Sequence, residues 1–136
     1  MDFSISAKLE NQKELNDPYI GTPCYFAPEM IDLDGGQDYC VDWWALGVLI
    51  FELVVGVPPF FHKKVYTICY MIQNNDLSWA SAERQKIEVS SQLKDLISRL
   101  LTKDRTKRLG VNGVDEILSH EWFASIDREK LLKKEL

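Results

Sequence analysis

CVDWWALGVLIFELVVGVPPF, residues 40–60, reads as one helix that is apolar nearly all the way round. Asp38 stands just ahead of it with a side-chain oxygen suited to capping its first amides. Gly56 can take the left-handed turn that closes a helix. Pro58 and Pro59 prevent continuation, because proline lacks the amide hydrogen and clashes with the preceding turn. A surface helix shows a polar face; a helix without one is buried on all sides or spans a membrane. The membrane reading is the weaker one. The run carries Asp42 and Glu52, and it is short of the about 20 apolar residues that a bilayer core needs. We therefore expect a central core helix, covered mostly by other helices.

The chain has 136 residues, enough for one domain and too few for two typical ones. Its 46% hydrophobic and 27% charged residues are ordinary for a globular protein. A formal charge of −5 argues against nonspecific binding to nucleic acid or to an anionic membrane surface. Cys24, Cys40 and Cys69 are odd in number and form no CxxC pair, which suits a reducing intracellular compartment, cytoplasmic or nuclear. The opening MDFSISAKLENQ has neither a basic start nor an apolar core, so it does not read as a secretory signal.

Residues 1–20 read as a loop, and so do residues 32–37, DLDGGQ. Between them, two prolines and a glycine in GTPCYFAPE (residues 21–29) rule out a regular helix, and Pro28 suits the first turn of a short one. Val65, Ile68, Cys69 and Ile72 fall on one helical face over residues 64–73. Residues 74–88 look polar and irregular, anchored by Trp79. Ser90 can cap an amphipathic helix whose stripe is Leu93, Leu96, Ile97, Leu100 and Leu101. Residues 103–113, KDRTKRLGVNG, form a basic, turn-rich loop; Val114, Ile117, Leu118 and Trp122 then mark one more helix, with Asn112 as its cap. Residues 127–136 are charged and are expected to fray. The expectation is a mainly α fold without a substantial sheet.

Three blocks taken together resemble a known family. GTPCYFAPE resembles the end of a protein-kinase activation segment, which closes on Ala-Pro-Glu. VDWWALGVLIFELVVGVPPF is similar to the central helix of the kinase C-terminal lobe and the turn after it, and KDRTKRLG followed by HEWF resembles the last block of that lobe. One such motif is weak evidence; three in order over residues 2–127 are strong. Trp43-Trp44 and the GTPxYxAPE form point to the AGC serine/threonine kinases, the cyclic-nucleotide-dependent kinases and their relatives. The resemblance implies an incomplete kinase C-terminal lobe from a parent with the two-lobed α+β fold. It places a partial kinase domain at residues 1–126, with the activation segment at 2–29 and later helices at 38–123, and a charged extension at 127–136.

The resemblance also assigns roles. Asp2 opens the Asp-Phe-Gly-like triplet and would hold the Mg²⁺ that bridges the ATP phosphates. Ser4 replaces the glycine of that triplet, losing backbone freedom. Thr22 matches a threonine bonded to the catalytic-loop base, a supporting role; alone it would be a turn hydroxyl. Tyr25, Phe26 and Ala27 match the pocket for the residue after the target serine or threonine, although packing is the alternative. Glu29 and Arg108 match a buried structural ion pair. Asp42 matches the aspartate that binds catalytic-loop amides; otherwise it simply favours the helix dipole. Cys24 replaces a glutamate, and an inert thiol is the expectation there. His62 and His120 have no metal-ligand spacing, and Lys103, Arg105 and Lys107 are expected to be solvated. Pro18 stands where the family carries its activation threonine, so that phosphorylation is closed to this chain.

Phosphoryl transfer needs a Gly-rich phosphate cover, a lysine–glutamate pair and an HRDxxxxN loop. None occurs in the sequence; in the family all precede Asp2. The expected partners are a protein substrate and upstream kinase segments, with ATP and Mg²⁺ used by the complete enzyme and neither held by this chain alone. The central helix would then leave an apolar face uncovered. Part of a serine/threonine kinase is one reading; a truncated pseudokinase that covers this face with a partner is the alternative.

Overall fold

A computed structural model of the chain describes residues 22–32 and 38–135. Seven α-helices occur among them: α1 Pro28–Ile31, α2 Cys40–Val55, α3 Val65–Asn74, α4 Ala80–Arg84, α5 Ser91–Leu100, α6 Val114–Leu118 and α7 Arg128–Lys133. Single 3₁₀ turns cover Pro23–Tyr25 and Glu121–Phe123. The described residues contain no strand.

Helix α2 starts where Asp38 Oδ1 accepts the Cys40 amide at 2.8 Å and ends at Gly56, whose φ of +82° is the left-handed closure read from the sequence. Trp44, Val48, Phe51 and Val55 project from it into the larger core cluster, where Phe60, Ile68, Ile72 and Ile97 join them. The second cluster lies on the α5 side, with Leu96, Leu100, Leu109 and Ile117 buried and Trp43 and Leu46 packed against it. α2 and α5 approach closely because residue 47 is glycine: a Cβ there would sit 2.9 Å from Leu100 Cβ. The indole N–H groups of Trp43 and Trp44 are buried without an acceptor among the described residues, so ring packing alone offsets their desolvation.

Several elements depart from the sequence reading. On α3, Ile68 and Ile72 are buried but Val65 is 54% exposed; it is the first residue of the helix, and the buried stripe starts one turn later. Residues 80–84 form α4 instead of irregular chain, and Ala82 packs into the core beside Trp79, whose ring lies 5.0 Å from Phe51. α5 begins as expected, with Ser90 Oγ accepting the Leu93 amide. The helix after it is capped by Gly113, not Asn112. Glu116 reaches back to accept the Gly110 and Asn112 amides, which would otherwise be left over in the turn. That helix stops at Leu118, and Trp122 belongs to a separate 3₁₀ turn. The terminal stretch forms α7, because Asp127 Oδ1 accepts the Glu129 and Lys130 amides and nucleates a short charged helix.

Candidate functional site

The segment Thr22–Ile31 is anchored on the helical core by the Glu29–Arg108 ion pair and the Tyr25–Glu52 hydrogen bond as well as by packing. Pro23 and Pro28 restrict it to a 3₁₀ turn followed by the short α1, as proline's fixed φ favours. Ala27 and Phe26 are buried in the main cluster, while Tyr25 and Cys24 pack on its edge. Thr22 is exposed, and its carbonyl accepts the Tyr25 amide.

Glu29 anchors the segment to the last block of the chain. Its two carboxylate oxygens meet Arg108 Nη1 at 2.5 Å and Nη2 at 2.8 Å. Arg108 is fully buried, so its remaining donors also need acceptors. Nε donates to the Thr102 carbonyl, Nη1 to the Cys40 carbonyl and Nη2 to the Lys103 carbonyl. A guanidinium has five N–H donors, and all five bonds are made. The Trp44 ring lies 5.2 Å from its carbon, adding a cation–π contact. One side chain thus joins α1, the start of α2 and the turn after α5. The Cys40 thiol, buried beside Asp38, is pushed up to about 11.

Tyr25 donates its hydroxyl to Glu52 on α2 at 2.5 Å. That bond, with burial, pushes the phenol up to about 12. Sequence reading placed Tyr25 in the segment but missed Glu52. The signal was there: a carboxylate in the last turn of an apolar helix needs a partner. Burial and the nearby Glu52 charge raise the Cys24 thiol above its usual range, which disfavours the reactive thiolate.

Asp42 stands in the first turn of α2, where the helix dipole favours a carboxylate. It keeps solvent contact and has no partner among the described residues; the surrounding protein still desolvates it enough to raise its pKa. Leu49 and Leu53 follow on the same side of the helix, 43% and 77% exposed. This stripe contrasts with the buried opposite face.

The basic loop is not simply solvated. Lys103 donates to the Asn75 carbonyl, Lys107 pairs with Asp104, and Arg105 lies 3.7 Å from Asp38. His120 is buried and structural. Its Nδ1 accepts the Trp122 amide, which leaves the proton on Nε2 to donate to Asp95 at 3.0 Å.

Asp2 and Ser4, together with Pro18, lie outside the described residues. Among the described residues no three His, Cys, Asp or Glu side chains come together as a metal ion would require. No described helix is long and apolar enough to cross a membrane.

A family model for the protein kinase domain matches residues 1–123. The chain is 41% identical over 137 residues to the human cAMP-dependent protein kinase catalytic subunit PRKX, covering 99% of this chain and 36% of that protein. It is 40% identical to cAMP-dependent protein kinase catalytic subunit 3 of Drosophila melanogaster, over 99% of this chain and 22% of the relative. Protein kinase 2 of Dictyostelium discoideum is 38% identical over 99% and 26% respectively. The chain thus spans between about a fifth and a third of the length of these relatives. With the helical architecture above, these matches establish that the chain belongs to the protein kinase family, in its AGC serine/threonine branch.

Proposed function

We propose that the chain is the portion of a serine/threonine protein kinase that positions the peptide substrate, in an enzyme that passes the ATP γ-phosphate to a serine or threonine hydroxyl. The observation that carries this is the fixing of Thr22–Ile31 onto the core through Glu29–Arg108 and Tyr25–Glu52. A loop that orients a substrate must be held by the scaffold, since misplacement of the reacting hydroxyl by about 1 Å can cost about 100-fold in rate. In this reading Tyr25, Phe26 and Ala27 shape the backbone against which the substrate lies, with Phe26 and Ala27 acting through packing because they are buried. Thr22, exposed beside them, supports the catalytic base. Asp42 receives amides of the catalytic loop, for which its carboxylate, without a partner among the described residues, is available. Asp2 holds Mg²⁺ when the nucleotide is bound, and that cation neutralises charge developing on the phosphates.

By itself the chain has no HRDxxxxN loop and no Gly-rich phosphate cover, so we expect it to be inactive. The test is phosphate transfer from labelled ATP to a basic serine peptide, first with the purified chain and then with a chimaera that supplies the upstream half of an AGC kinase domain. No transfer by the chain and transfer by the chimaera are expected. An inactive but folded chimaera would favour the second reading, a pseudokinase interaction module. That reading has its own observation, the uncovered Leu49–Leu53 stripe.

A further inference from the structure

We propose that the groove between α4 and the loop joining α2 to α3 binds a small anionic amphiphile, of the aryl- or medium-chain carboxylate class. Its volume is near 510 Å³, inside the range of about 300–1,000 Å³ typical of small-molecule sites. All of its walls come from residues 51–85 of this chain, so the site does not depend on the catalytic reading above.

The floor is Phe51, buried and braced by the Trp79 ring, together with Met71. Methionine adapts its shape to what lies against it. One wall is Val57, Pro58, Pro59 and Phe61. Phe61 is 60% exposed, so folding of this chain leaves much of that wall in water. The opposite wall is α4, with Ser81 and Arg84 facing the groove.

Charge selects the class of ligand. The chain has 21 acidic and 16 basic residues, yet the groove is lined by one cation and no carboxylate. Arg84 Nε donates to the Ala80 carbonyl and Nη2 to Ser81 Oγ. Both acceptors are neutral, and no carboxylate pairs with Arg84 among the described residues. Arg99, Arg105, Lys107 and Arg108 each face one. The two bonds lay the guanidinium along α4 and pre-orient it. An apolar tail displaces water from Phe61 and Pro58, while its carboxylate meets Arg84 in a charge-assisted bond. A cationic head is repelled by Arg84.

The test is calorimetric titration of the chain with dodecanoate, kept below its micelle threshold. We expect one saturable site, tighter than about 1 mM. Arg84→Gln should weaken it about tenfold or more, whereas Arg84→Lys should stay within a few-fold of the parent. Phe61→Ser should also weaken it. Leu53→Gln, which alters the separate apolar stripe on α2, should leave the affinity unchanged. Dodecyltrimethylammonium should not compete. Thermal unfolding of each variant checks that these exposed substitutions leave the fold intact. The absence of saturable binding would overturn the site. So would unchanged affinity in a folded Arg84→Gln variant, loss of binding in Leu53→Gln, or equal binding of the cationic amphiphile.

Discussion

At the scale of single residues, Arg108 ties together α1, the start of α2 and the turn after α5. It is fully buried, and every donor is used. Removing it strands Glu29 in a dry site, and breaking one side of such a pair costs about 3–5 kcal/mol. Arg108→Met should therefore remove much of the stability of a domain whose total is about 5–15 kcal/mol. The double variant Glu29→Met/Arg108→Met should recover part of the loss, since no charge is left unpaired; urea unfolding of both variants checks this. Tyr25 gives a pH signature. Its phenol is raised from 10.0 to about 12 by the bond to Glu52, so the protonated form is favoured in the folded state. The stability it contributes is complete below the unfolded value and is lost as pH rises from about 10 to about 12. Tyr25→Phe should abolish that alkaline component and lower stability at neutral pH by about 0.5–1.5 kcal/mol. Unfolding curves at several alkaline pH values would separate the two effects.

At the scale of elements, packing overrides propensity at Gly47. Alanine in mid-helix gains about 1 kcal/mol over glycine. Here the added Cβ would stand 2.9 Å from Leu100 Cβ and 3.0 Å from Leu101 Cδ2, and overpacking costs about 1–3 kcal/mol. Gly47→Ala should lower the midpoint of thermal unfolding, and Gly47→Val should lower it further. The turn after α6 depends on His120 in the same local way. His120→Leu removes the acceptor for the Trp122 amide and the donor to Asp95; the expected loss is about 1–3 kcal/mol, measurable by chemical unfolding at pH 7. The Asp95 carboxyl is held below its usual range by His120 and Arg99. Its contribution is present above the unfolded carboxylate pKa and fades as the medium becomes strongly acidic.

At the scale of the whole molecule, α2 has two unequal faces. Trp44, Val48, Phe51 and Val55 are buried, while Leu49 and Leu53 on the other side meet solvent. Exposed leucines contribute little to the stability of the chain that carries them, so Leu53→Gln should change it by no more than about 0.5 kcal/mol. The same substitution should reduce self-association of the isolated chain, read by light scattering. On the proposed function the stripe packs against the supplied segments in the kinase chimaera, where the substitution should then lower stability and activity together. A chimaera indifferent to Leu53→Gln would show that this face has another use.

The sequence by itself determined where the main helix starts and stops, which face of α5 is apolar, and the family. These rest on local chemistry: Asp38 and Ser90 offer oxygens to nearby amides, Gly56 alone adopts its turn without strain, and apolar side chains repeat at helical spacing. Glu29 and Arg108 are 79 residues apart and could be connected beforehand only through the resemblance. Tertiary structure decided the rest. It placed Glu52 under Tyr25 and His120 against Asp95, and it drew residues 80–84 into a helix by burying Ala82 beside Trp79. It also divided a mostly apolar helix into a covered and an uncovered face. Side-chain identity along a chain states what each residue can bond to or bury. Which distant group it meets depends on how the helices pack, and that is a property of the folded whole.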